Sequence, residues 1–283
     1  MVVKITNDNS QIIDADEILY EPFDSPYQRI TSFELPEEIN RFELKDEHLF
    51  ISAGQFVYIF DMEGNKLDGF QVEPDARDIT ISNTKEIYLL YPAKIIVYSI
   101  DGKEIRHWEA CSRLSDYCSF TIVGDVLFVT DAENKNICKY TTNGDFIKFI
   151  RSPQGFIIPS YSFDIDSWND TIYCSNSGRH SIEIYSFDGD FISSFGASIA
   201  DGGYFAGCCN PAYLSFTPDG ELITSEKGIP RVSSFSRNGV LNAALLNGKM
   251  LESGNKACEI KADVNKLFVA SKNKILIFER ITG

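Results

Sequence analysis

Histidine is scarce in this chain, with three in 283 residues, as are methionine, also three, and tryptophan, two. The three imidazoles fall at His48, His107 and His180. They read as the start of a second strand, an outer strand and a loop, so a catalytic zinc held by three histidines cannot be assembled. Long apolar runs are also missing. The longest, such as Ile95 to Val97 and Ile275 to Phe278, fall far short of the roughly 20 residues that a membrane-spanning helix needs. Positive charge is in short supply: 26 Lys plus Arg face 41 Asp plus Glu, a formal net charge of −15. That balance opposes sequence-independent binding to phosphate backbones, and nucleic acid is not an expected partner.

Seven cysteines (Cys111, Cys118, Cys138, Cys174, Cys208, Cys209 and Cys258) make an odd number without a pair of CxxC motifs. Neither a complete disulfide framework nor a structural zinc site is indicated. The opening residues lack the apolar segment of about 7 to 15 residues that marks an export signal. The chain reads as soluble, cytoplasmic as written or exported if a signal peptide has been removed. No Gly-x-Ser-x-Gly elbow or phosphate-cradling glycine loop is found. With 43% hydrophobic and 24% charged residues, the composition is that of an ordinary globular protein and argues against wholesale disorder.

What is present is a repeat. Glu63-Gly64, Asp101-Gly102, Asn143-Gly144, Asp188-Gly189 and Asn238-Gly239 recur with glycines 38, 42, 45 and 50 residues apart, each a hairpin signal between two alternating runs. A strand-like run lies ahead of each hairpin and once more near the end of the chain: Leu49 to Ser52, Ile87 to Leu90, Leu127 to Thr130, Ile172 to Ser175, Leu222 to Ser225 and Leu267 to Ala270. Before those, the innermost strands read Arg41 to Leu44, Asp78 to Ser82, Ser119 to Val123, Ser162 to Asp166, Tyr213 to Phe216 and Cys258 to Ala262. Six units of four strands predict an all-β, six-bladed β-propeller with antiparallel blades.

The sixth unit stops after its third strand, Ile275 to Phe278. Gln28 to Phe33 resembles the other fourth strands and is expected to complete that blade, closing the ring and hiding its open edges. Residues 1–27 then read as an N-terminal leader and 28–283 as one propeller domain. A β-sandwich or two smaller β domains is the other reading of the pattern.

From about residue 28 onward, the chain resembles the NHL-repeat six-bladed propellers. The best-matched stretches are Leu127 to Asp131 with Asn134, Asn136 and Tyr140 to Phe146, and Asn210-Pro211 with Pro218 to Gly220. Gly207-Cys208-Cys209-Asn210-Pro211 and Ser225-Glu226-Lys227-Gly228-Ile229-Pro230-Arg231 look like a bacterial subgroup of that family. The resemblance implies a propeller fold. Its members include protein-binding and RNA-binding modules, receptor segments and a metal-dependent lyase, so fold alone does not choose a function.

Sites on propellers gather on the face where loops emerge around the axis. Arg77, Arg113, Arg179, His180, Lys227 and Arg231 fall on that face as basic spots suited to an anionic group. The hairpin turns opposite carry much of the acid, so the loop face is expected to be the less negative one. Tyr117, Tyr161 and Tyr204 are expected to offer flat contact surfaces, and Asn176 and Asn210 neutral polar contacts. The long loop Ala197 to Asn210 brings Cys208 beside Cys209, which would pack under the loop, form a strained vicinal disulfide, bind a soft metal or act as a redox pair. Cys111 and Cys118 flank another loop and could be bridged.

No cofactor is implied. Calcium could bind through Asp131, Asn134, Asn176 and Glu226, since it needs only oxygens. The leading expectation is a monomeric, non-catalytic binding module whose loop face recognises a protein, peptide or small acidic ligand. The alternatives are a metal-dependent hydrolase or lyase in the axial funnel, and a thiol redox role for Cys208 and Cys209.

Overall fold

The computed structural model describes residues 5–6, 12–13, 24–198, 203–205, 207 and 209–281. Six four-stranded antiparallel sheets form a six-bladed β-propeller with almost no helix. The innermost strands are Ile39–Lys45, Asp78–Ile81, Tyr117–Val123, Ile165–Trp168, Tyr213–Phe216 and Glu259–Ala262, in blades 1 to 6. Each blade then runs outward through a second, third and fourth strand in chain order. Blade 6 takes its fourth strand from Tyr27–Glu34, which pairs with Lys274–Arg280 in the register Tyr27 to Arg280 and Glu34 to Lys274. The closing strand thus starts one residue earlier than the alternation suggested.

Six clusters of buried side chains hold the ring together, one at each junction between neighbouring blades. Phe42, Leu49 and Ile51 of blade 1 meet Phe268, Ile275 and Ile277 of blade 6, so the junction that joins the two ends of the propeller is as apolar as the others. Removing a side chain of this size from water is worth roughly 1.5–3 kcal/mol.

The hairpin between third and fourth strands repeats one device. The register slips at Phe60, Tyr98, Tyr140, Tyr185 and Phe235, and four residues later comes Gly64, Gly102, Gly144, Gly189 or Gly239, each at positive φ. A bulge of this kind sharpens the local twist. The glycine lies against the fourth strand of the preceding blade: a Cβ on Gly144 would stand 2.7 Å from the Trp108 ring, and one on Gly239 2.2 Å from Phe195. Two features were not read from sequence, a 3-10 turn at Ser177–Arg179 and a short helix at Gly248–Leu251.

Candidate functional site: the axial funnel

The inner ends of four of the six blades bring charged side chains together: Arg41, Asp78, Asp164 and Glu259. Arg41 of blade 1 lies at the convergence. Its Nη2 donates to Asp164 Oδ1 at 3.0 Å and its Nη1 to Glu259 Oε1 at 3.5 Å. Nε donates to the Arg77 carbonyl at 3.2 Å and lies 4.0 Å from Asp78 Oδ1. The guanidinium also covers the Tyr213 ring, 4.6 Å from its centroid.

The three acids alternate around the ring, on blades 2, 4 and 6, and each ties its blade to the next. Asp78 Oδ2 accepts from Phe120 N at 3.1 Å, Asp164 Oδ2 from Leu214 N at 2.7 Å, and Glu259 Oε2 from Phe42 N at 2.9 Å. Two residues further along the strands, Lys261 Nζ donates to Glu43 Oε2 at 3.1 Å, and Asp166 belongs to the same charged group.

Burial opposes the charge on Arg41, but Asp78, Asp164 and Glu259 outweigh it and hold its pKa well above the ordinary value. Lys261 is raised in the same way, burial being outweighed by Glu43, Asp166 and Glu259. Burial pushes Glu259 up to about 8 against the pull of Arg41 and Lys261. It pushes Asp166 up to about 7, with Lys261 opposing and Glu43 assisting. Asp166 is half-buried whereas Glu259 is buried. Asp78 is raised for the same reason, with Arg41 opposing.

Above Arg41 the channel widens into two cavities that share Arg41, Tyr161 and Tyr213. One, of about 560 Å³, is bounded by Asn40, Arg77, Asp116 and Cys118. The other, of about 440 Å³, is lined by Ser160, Ser162, Lys227, Asn255 and Lys256, and no carboxylate is among its walls. Lys227 Nζ donates to the hydroxyls of Ser160 and of Ser162, the latter at 3.1 Å. Among the described residues neither Lys227 nor Lys256 forms an ion pair.

The loops that carry these groups are bolted by buried amides. The Asn210 side chain accepts from Lys227 N and donates to Lys227 O, both at 2.9 Å. Asn176 accepts from Ile157 N at 2.9 Å and donates to Glu183 Oε1 at 2.7 Å, holding the loop that contains Ser160 to Ser162. Gly228 N donates to Asn255 O at 2.8 Å, coupling the Lys227 turn to the Lys256 turn.

Of the residues singled out from sequence, the structure brings Arg77, Tyr161 and Lys227 to the funnel. Arg77 is paired with Asp116 and donates to Tyr117 O at 2.9 Å. Tyr161 is 54% exposed. Several expectations are corrected. Tyr117 is fully buried, its hydroxyl 2.6 Å from that of Tyr140, so it packs between blades and offers no contact surface. Asn176 and Asn210 are buried positioning residues. Arg231 grips the buried Glu226 with two bonds, Nε to Oε1 at 2.6 Å and Nη2 to Oε2 at 3.2 Å, and neither residue lines the two funnel cavities.

Arg179 binds the carbonyls of Gln154 and Gly155 and lines a separate cavity of about 260 Å³. Arg113 and Tyr204 are exposed outside both funnel cavities, and His180 lies outside them with its Nδ1 buried and unpaired. Cys209 is buried, while Cys208 lies outside the described residues. Asp131, Asn134, Asn176 and Glu226 sit on three blades, and each is bonded within its own blade or to the adjoining loop; Asp131 accepts from Asn134 Nδ2 at 2.8 Å. Among the described residues, no three His, Cys, Asp or Glu side chains are grouped to hold a metal ion.

No family model matches the chain, and no curated protein does. Solved structures show what the fold is similar to. Virginiamycin B lyase from Staphylococcus aureus, in a catalytically inactive form with quinupristin, aligns with TM-score 0.65 at 14% identity over 90% of this chain and 100% of that one. The Pan2 WD40 domain of Neurospora crassa aligns with TM-score 0.61 at 10% identity over 92% and 98%. A Bacteroides caccae protein of unknown function gives 0.59 at 12% over 79% and 82%. At these identities the likeness concerns the fold alone. Among the described residues no helix is long and apolar enough to cross a membrane.

Proposed function

We propose that this propeller is a non-catalytic binding module whose loop-face funnel holds a small organic anion or the acidic end of a peptide. One observation carries the reading: in a chain of net charge −15, the 440 Å³ cavity on the axis is lined by Arg41, Lys227 and Lys256 and by no carboxylate. The charge of Arg41 is met from below by three acids, which leaves the two lysines to meet a ligand's negative charge. Ser160, Ser162 and Asn255 supply hydrogen-bonding groups, and Tyr161 and Tyr213 the flat walls. The repeat pattern further supports an NHL-type propeller as the branch of the fold concerned.

Binding is favoured over catalysis by the engagement of the three acids around Arg41. Asp78, Asp164 and Glu259 each accept a backbone N–H while facing Arg41, and no imidazole lines either cavity. None of these acids is positioned as an unengaged base. The experiment is calorimetric titration with inorganic phosphate, acetate, and di- and tricarboxylates. A charge-assisted hydrogen bond is worth about 1.5–3 kcal/mol, so Lys227→Met or Lys256→Met should weaken binding at least about tenfold, and added salt should weaken it further. Arg113→Ala should leave it unchanged. Equal affinity in the lysine variants, or no binding by any of these anions, would overturn the reading.

A further inference from the structure

Cys111 and Cys138 come from neighbouring blades and meet. Cys111 follows the outer strand of blade 2, Glu104–Glu109, and Cys138 lies on the third strand of blade 3, Asn136–Thr141. Their sulfurs stand 3.7 Å apart. Cys111 is exposed and Cys138 is buried. The approach is built into the fold: Cys111 N donates to Tyr140 Oη at 3.1 Å and lies 3.4 Å from Tyr117 Oη. Tyr117 and Tyr140 belong to the same buried cluster as Cys138. The bridge from Cys111 to Cys118 raised by their spacing is not made, because Cys118 Sγ turns to the Asp116 carbonyl at 3.7 Å.

We propose that Cys111 and Cys138 are an oxidisable pair, a modification site that closes to a disulfide when the protein meets a peroxide. The exposed Cys111 thiol attacks the peroxide and its sulfur takes one oxygen, with water or an alcohol leaving. The Cys138 sulfur then displaces that hydroxyl as water, the Cys138 proton leaving with it, and the S–S bond forms. Two thiols are oxidised and one peroxide is reduced. Burial pushes the Cys138 thiol up, which assigns the first step to Cys111 and makes Cys138 the resolving sulfur. Closing to the bonded distance of about 2.05 Å draws the 110–116 loop, which carries Asp116, toward blade 3. The inference stands on the thiols alone and is independent of the ligand reading.

The test treats the full chain with hydrogen peroxide, blocks remaining thiols by alkylation and digests with trypsin without reduction. The expected product is His107 to Arg113 disulfide-linked to Asn136 to Lys139, released by dithiothreitol. Cys111→Ser, at an exposed site, should abolish the link without disturbing the core, and Cys118→Ser should leave it intact. A link from Cys111 to any other cysteine would overturn the proposal. So would accumulation of Cys111 sulfinic or sulfonic acid while Cys138 remains alkylatable.

Discussion

Arg41 sits where the innermost strands converge, and three acidic side chains face its single positive charge. Replacing it by methionine would leave Asp78, Asp164 and Glu259 buried without their nearest counter-charge, with Lys261 two residues along the strand the remaining cation beside Asp78 and Glu259. Breaking a buried pair in this way typically costs about 3–5 kcal/mol. Denaturant unfolding of Arg41→Met should therefore lose about 3 kcal/mol or more at pH 8, and less at pH 5, where the orphaned acids take up protons. A loss below about 1 kcal/mol at pH 8 would mean that the axis does not hold the ring. Arg41→Lys should recover little, because a compact ammonium cannot reproduce the fixed fork of donors that the guanidinium aims at Asp164, Glu259 and the Arg77 carbonyl.

The same residues set a pH dependence. Glu259 and Asp166 have folded pKa values raised to about 8 and about 7, so the folded chain keeps protons that the unfolded chain has released. Stability from these groups is therefore greatest near the ordinary carboxyl range and falls as pH rises through their folded values. Asp61, Asp101 and Glu86 are shifted downward by hydrogen bonds from Asn65, Ser99 and Arg106 respectively; their contribution is complete above the ordinary carboxyl range and is lost only below it. Thermal midpoints should fall between about pH 5 and pH 8. The combined Glu259→Gln and Asp166→Asn substitutions should flatten that slope. A midpoint that rises across the window contradicts the assignment.

Nothing in the sequence alone marks these residues as one site. Arg41, Asp78, Asp164 and Glu259 sit in alternating runs that read as half-buried strands, and only the ring brings four sequence-distant positions to one level. The available signal was a charge at the same place near the start of four innermost strands. Asn176, Asn210, Glu226 and Arg231, polar residues beside the loops, bond to partners in and around those loops, as turns require for their backbone and side-chain groups.

At the level of the element, the hairpins explain why the fold was legible. The Asn-Gly and Asp-Gly pairs mark a local turn that depends on few distant contacts, so they report strand order directly. Their glycines also meet a second demand, the absence of a Cβ where the neighbouring blade presses in. Two substitutions separate the effects. Gly144→Ala combines φ +95° with a contact at 2.7 Å to Trp108, whereas Gly124→Ala has φ +61° and nothing within 4 Å. Positive φ alone should cost about 1 kcal/mol, and Gly144→Ala should lose clearly more in chemical denaturation. Equal losses would show that the bed of the neighbouring ring yields freely.

For the whole molecule, closure by Tyr27–Glu34 decides how the propeller responds to load. Tyr27 lies opposite Arg280, whose guanidinium covers the tyrosine ring at 5.5 Å, and Ile281 N donates to Pro26 O at 2.8 Å. Tension applied just before Tyr27 and just after Arg280 therefore acts on the same end of the ladder. Such a pull unzips the pairs in succession, from Tyr27 and Arg280 toward Glu34 and Lys274, instead of shearing all of them at once. Single-molecule stretching from these two points should peel the clasp at low force as the first event, whereas anchoring at Glu34 and Arg280 should load the whole ladder and raise that force.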